Sequence, residues 1–114
     1  MPEEFTSAHE MIGDFAPKLV SLTDDVLFGE VWERPGLSKR DRSLVTVAAL
    51  MALYRTNEMR AHMKRAIDNG LTVDELIEAI THLAFYASWP NAQNAIMTAK
   101  ELFEQPQRRN GGAA

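Results

Sequence analysis

The chain has 114 residues, 46% of them apolar and 25% charged, with 12 basic against 16 acidic residues for a formal charge of -4; this fits one soluble domain and excludes the disordered and membrane-spanning classes. The acidic balance is the wrong sign for a domain that grips phosphate backbones, so nucleic acid is not an expected partner. No cysteine occurs, which removes disulfides, thiolate nucleophiles, iron–sulfur clusters and cysteine-rich zinc sites together.

The longest apolar run, Leu44 to Tyr54 interrupted only by Thr46, is far shorter than the roughly 20 residues of a spanning helix. The opening Met-Pro-Glu-Glu-Phe lacks the basic-then-apolar order of a leader. A cytoplasmic location without a membrane partner is the resulting expectation. Pro17, Gly29, Pro35-Gly36, Gly70, Pro90, Pro106 and Gly111-Gly112 punctuate the chain. No segment alternates apolar and polar residues for more than a few positions, and no repeat or phosphate-binding glycine motif is present. We therefore expect an all-α fold, a compact bundle of about six helices forming a single domain over residues 1–105. Residues 106–114 have nothing to bury and are expected to form a mobile tail.

In chain order, residues 2–15 read as a short helix, and Pro17 opens a second that carries Leu19, Leu22, Val26 and Leu27 at helical spacing. Ser38 with Asp41 is a variant capping box, opening a helix from Lys39 to about Thr56 whose centre is apolar on nearly every side. A small chain has difficulty enclosing such a helix, which points to oligomerisation. Asn57 to Asp68 reads as the next helix, ended by Asn69-Gly70, and Thr72 with Glu75 caps another. That helix places Val73, Leu76, Ile77, Ile80, Leu83, Ala84 and Ala87 on one stripe, with Glu78, His82, Phe85, Tyr86 and Trp89 on a second. The last helix runs from about Pro90 to Glu104.

Three histidines carry most of the chemical information. His9 reads as a surface residue. His62 lies four residues after Glu58 and seven after Arg55, so the three share neighbouring turns of one helix face. They form either a polar cluster with a function or a solvated face stabilised by a few tenths of a kcal/mol. His82, among Leu83, Phe85, Tyr86 and Trp89, is either a ligand-binding group or a satisfied core or interface residue. No His-x-x-x-His or Glu-x-x-His pair occurs, so no metal site is expected. Met51, Met59, Met63 and Met97 read as core filling. The basic residues Arg34, Lys39, Arg40, Arg42 and Arg55 straddle the apolar helix and include side chains suited to holding carboxylates.

The string from Arg34 to Leu50, Arg55-Thr-Asn-Glu58-Met-Arg-Ala-His62, and His82-Leu-Ala-Phe-Tyr86-Ala-Ser-Trp-Pro90-Asn-Ala-Gln-Asn94 together resemble the carboxymuconolactone decarboxylase family over roughly residues 34 to 97. The resemblance implies an alkylhydroperoxidase D-like helical subunit in a ring-like homo-oligomer, a trimer or hexamer, with sites near subunit boundaries. Its peroxidase branch depends on a Cys-x-x-Cys pair before the histidine matching His62. Arg55 and Glu58 stand there instead, and a chain without thiols cannot reduce peroxides by that route. Departures from common family patterns fall at Tyr54 and Ser88, where glycine is frequent, and at Ser43, where some relatives carry glutamate.

The resemblance further implies a decarboxylase that needs no cofactor and acts on a small carboxylated lactone. The reference reaction converts 4-carboxymuconolactone to the β-ketoadipate enol-lactone in aromatic-acid breakdown. Loss of CO2 drives electrons through the ring alkene to the lactone carbonyl, and the resulting dienolate is protonated on carbon. A cation, an oxyanion donor and a general acid are required. On this reading His62 is the general acid with Glu58 orienting it, His82 the oxyanion donor, Arg42 and Arg55 the carboxylate anchors, and Tyr86 and Trp89 the walls that exclude water. The alternatives are a non-catalytic helical oligomer and a lyase or isomerase of another unsaturated lactone or β-keto acid.

Overall fold

The computed structural model describes residues 7–104, all helix and connecting turns with no strand among them. The chain divides between Arg42 and Ser43 into two compact units. The expected tail at 106–114 and the start of the expected first helix lie outside the described residues.

In the first unit a capping box, rather than the apolar pattern, fixes where the chain turns helical. The Ser7 hydroxyl accepts from the Glu10 N–H and the Glu10 carboxylate from the Ser7 N–H, each at 3.1 Å, so α1 covers only Ala8–Ile12. Asp24 secures it, accepting from the N–H groups of Ala8 (2.9 Å) and His9 (3.0 Å). Pro17 opens α2, Pro17–Ser21, as its fixed φ favours. This helix continues as a π-helical segment, Leu22–Val31, closed by the Trp32 N–H on the Leu27 carbonyl at 2.9 Å. A Cβ at Gly29 would stand 3.2 Å from the Asp24 carbonyl oxygen, a crowding that glycine avoids. The four apolar residues at helical spacing, Leu19, Leu22, Val26 and Leu27, are all exposed. Only Ala8, Val20 and Trp32 form the buried apolar set of this unit's described residues, with Phe28 stacked on Trp32 at 5.8 Å.

Helix α3, Lys39–Ala52, starts where expected, with the Ser38 hydroxyl accepting from the Asp41 N–H at 3.0 Å. From Ser43 onward it belongs to the second unit, with α4 (Thr56–Asp68), α5 (Val73–Leu83) and α6 (Trp89–Phe103). The core is built from Val47 and Met51 of α3, Met59, Met63 and Ala66 of α4, Leu76 and Ile80 of α5, and Ala92, Ala95 and Ala99 of α6. Full burial of each larger side chain contributes about 1.5–3 kcal/mol. The small alanine face of α6 lets α4 and α5 both pack on it, and Arg60 of α4 pairs with Glu101 of α6. Of the four methionines read as core filling, Met51, Met59 and Met63 do fill it, whereas Met97 is exposed because it falls on the opposite side of α6 from Ala92, Ala95 and Ala99. Ser43 is completely buried and accepts from the Asn69 side-chain amide at 2.9 Å.

Two helix ends share one device. At the end of α4 the Leu71 N–H reaches the Ala66 carbonyl (2.9 Å) and the Gly70 N–H the Ile67 carbonyl (3.0 Å), with Gly70 at φ 110°. At the end of α3 the Arg55 N–H reaches the Leu50 carbonyl (2.8 Å) and the Tyr54 N–H the Met51 carbonyl (3.1 Å), with Tyr54 at φ 59°. Both are Schellman closures. This stops α3 at Ala52, four residues before the expected end. Val45 and Leu53 remain 60% and 68% exposed in the single chain, so the apolar helix is not enclosed by its own subunit.

Candidate functional site

The Schellman closure at Tyr54 delivers Arg55 to the N-cap position of α4. Met59, Met63 and Ala66 fix the rotation of α4 by entering the core, and Glu58 and His62 share the other face. Arg55 and Glu58 are exposed and His62 is half-buried. Burial pushes the His62 pKa below its ordinary value, the Arg65 guanidinium one turn on lowers it further, and the Glu58 carboxylate opposes both. The neutral imidazole is thereby favoured, and the protonated form is a stronger acid than an ordinary imidazolium. Arg65 was missed by the sequence reasoning; its position three residues after His62 was the available signal.

The second grouping lies at the end of α5. The expected aromatic stripe presumed one helix through Trp89, and this needs correction. Helix α5 stops at Leu83, and the chain turns through residues 84–88, with the Phe85 N–H on the His82 carbonyl (3.2 Å) and the Tyr86 N–H on the Leu83 carbonyl (3.0 Å). Phe85, Tyr86 and Trp89 therefore sit on a turn and the start of α6. The exposed His82 ring still meets Tyr86, with centroids 4.9 Å apart and planes tilted by 31°. Phe85 and Trp89 meet edge to face at 5.9 Å. Tyr86, Trp89 and Phe85 are 77%, 57% and 75% exposed, so within one subunit these rings border water.

Asn91 joins this turn to the end of α3. Its side-chain amide donates to the carbonyls of Ala52 and Ala87, each at 3.2 Å, while its backbone N–H donates to the Ser88 hydroxyl at 3.2 Å. Segment 52–55, which carries Arg55, is thus tied to segment 86–91, which carries Tyr86 and Trp89. Ser88 holds φ 94° and ψ 144°. The sequence reasoning gave Asn91 no role, although its place three residues after a serine N-cap was the signal available.

Arg42 belongs to the first unit. Its guanidinium donates to the carbonyls of Leu37 and Arg34, each at 3.2 Å, bracing the turn before α3. A cleft of about 310 Å³ in the same unit is lined by His9, Asp14, Pro17, Val20, Asp24 and Asp25 among others, and none of the seven candidate residues lines it. Among the described residues no group of three or more His, Asp and Glu is arranged to hold a metal ion, and no helix is long and apolar enough to cross a membrane.

The subunit is helical, with ionisable groups on α4, a histidine and aromatic rings about the end of α5, and no cysteine in the chain. Residues 17–101 match the carboxymuconolactone decarboxylase family, and the chain belongs to it. Among its relatives, 4-carboxymuconolactone decarboxylase of Acinetobacter baylyi is 42% identical over 95 residues, 83% of this chain and 71% of the relative. Nitrosuccinic acid decarboxylase of Metarhizium robertsii is 35% identical over 74 residues, 65% of this chain and 52% of the relative, so the matched stretch spans about half of that protein.

Proposed function

We propose that the protein is a decarboxylase of a small carboxylated lactone, converting 4-carboxymuconolactone to the β-ketoadipate enol-lactone in protocatechuate breakdown without a cofactor. The observation that carries this reading is the 42% identity with a 4-carboxymuconolactone decarboxylase across 83% of the chain. The substrates named for the two relatives support it chemically. In each, a carboxylate can leave while its electron pair moves into an acceptor, the conjugated lactone carbonyl in one and the nitro group in the other. Both reactions end with a proton delivered to carbon.

In this mechanism Arg55 anchors the spectator carboxylate from the N-cap of α4, where the unpaired N–H groups of the first turn also favour an anion. His62 supplies the proton, and its lowered pKa makes that transfer easier for each protonated molecule. Glu58 orients the imidazole and draws a proton back to it. His82 donates to the developing oxyanion, held against Tyr86. Arg42 spends two donors on backbone carbonyls, which leaves Arg55 as the principal anchor. The exposed Tyr86 and Trp89 exclude water once a second copy covers them, so the active form is a homo-oligomer.

The test is turnover of 4-carboxymuconolactone by the purified protein. His62→Ala should lower kcat by about a hundredfold or more, the usual scale for a lost general acid. Arg55→Ala should act mainly on KM, and His9→Ala should do little. Wild-type protein that releases no CO2 would refute the reading, and near-full turnover by His62→Ala would remove His62 from it.

A further inference from the structure

The two described non-glycine residues with positive φ, Tyr54 at 59° and Ser88 at 94°, flank a single clamp. Asn91 binds the carbonyl of Ala52, two residues before Tyr54, and the carbonyl of Ala87, adjacent to Ser88. It also donates its backbone N–H to the Ser88 hydroxyl. Left-handed backbone is unfavourable for a side chain with a Cβ, and the φ and ψ of Ser88 lie close to a region that glycine almost alone occupies. The same molecule uses glycine for the equivalent closure of α4, at Gly70. Conformation alone would therefore favour glycine at both positions.

Neither side chain recovers the strain by burial, since both are exposed. Ser88 gains a cap on α6, but glycine at an N-cap forfeits little of that benefit. Both side chains end in a hydroxyl. The Ser88 oxygen accepts from Asn91, which leaves its O–H free to donate outward. The neighbours are the candidate anchor Arg55 on one side and Tyr86 and Trp89 on the other. Strained residues persist where their side chains are needed.

We infer that Tyr54 and Ser88 are specificity-determining residues, whose hydroxyls hydrogen-bond an oxygen-bearing substituent of the carboxylated substrate at the lip formed around Asn91. The inference rests on the decarboxylase reading for the location of the substrate. It assigns the two side chains to recognition, with no part in proton transfer.

The experiment compares Tyr54→Gly, Ser88→Gly and Tyr54→Phe with wild type. Melting temperature is measured, together with kcat and KM on 4-carboxymuconolactone and on nitrosuccinic acid and the Kd of each compound by calorimetry. Both glycine variants should melt higher, by roughly 5 °C, as strain is relieved. The ratio of kcat/KM between the two compounds should shift about tenfold, chiefly through KM, as expected for a lost hydrogen bond to substrate. Tyr54→Phe should reproduce the Tyr54→Gly kinetics while keeping the wild-type melting temperature. Glycine variants that melt higher with kcat/KM on both compounds within about twofold of wild type would overturn the inference, as would glycine variants that melt lower. If wild type binds but turns over neither compound, the decarboxylase reading falls alone, and an unchanged Kd in both glycine variants then overturns this inference too. Absence of binding to wild type overturns both.

Discussion

Replacing Asn91 by alanine removes two hydrogen bonds, one that ties the start of α6 to the end of α3 and one that holds the turn just before α6. Both run from one side-chain amide to backbone carbonyls at 3.2 Å, the long end of the N–H···O range. A neutral bond of this kind contributes about 0.5–1.5 kcal/mol. The bond to Ala52 is exposed and that to Ala87 partly buried, so water recovers some of the loss, and the expected cost is about 1–2 kcal/mol. For a unit of this size that lowers Tm by roughly 5–10 °C. The cap from Ser88 uses the Asn91 backbone N–H and survives the substitution. Asn91→Asp provides the sharper comparison. A carboxylate in the first turn of α6 gains about 0.3–1 kcal/mol from the helix dipole, yet it sets an acceptor against two carbonyl oxygens. It should destabilise at least as much as alanine. Thermal and urea unfolding of the three proteins decides the matter. A change below about 0.3 kcal/mol for Asn91→Ala, or wild-type stability for Asn91→Asp, would show that the clamp does not hold the two segments together.

The lowered pKa of His62 makes stability depend on pH. The unfolded chain binds a proton more readily there than the folded one, so the stability from keeping His62 neutral is full above its ordinary value of 6.5 and is lost as pH falls through the lower folded-state value. Urea midpoints at about pH 7.5 and about pH 5 should therefore differ more for wild type than for His62→Gln; equal differences would refute the assignment. The same ionisation should place the alkaline limb of kcat/KM below 6.5 if the imidazolium is the acid. Light scattering at micromolar concentration should give a homo-oligomer, because Val45, Leu53 and the aromatic turn are left exposed by one subunit; a monomer would refute it.

Local chemistry was legible where side chain and backbone act within a few residues. Ser38, Thr72 with Glu75, and Asn69-Gly70 mark helix ends in the sequence, and each is realised by the expected bond or dihedral angle. The end of α5 was not legible, because the apolar stripe continues past Leu83 without a glycine or proline until Pro90. Tyr54 was equally opaque: an aromatic residue is not a sign of left-handed backbone. The π-helical segment changes hydrogen-bond register with no distinctive composition, so spacing alone marked a helix after Pro17 without showing its wider turn. At the candidate site, the i,i+4 spacing brought out Glu58 with His62 and His82 with Tyr86. The tie between the two ends of the site depends on Asn91 reaching back 39 residues to Ala52, which no local pattern encodes.

Each unit of the chain contains one of its two tryptophans. Trp32 is buried and stacked on Phe28, whereas Trp89 meets solvent beside Phe85. The protein therefore carries two intrinsic fluorophores of opposite environment, one for each unit. A water-soluble quencher reaches Trp89 in a lone subunit, is kept from it once a second copy covers the aromatic turn, and spares Trp32 in both states; Trp32→Phe and Trp89→Phe separate their emission. Unfolding of the N-terminal unit is thereby followed independently of whatever covers the aromatic turn.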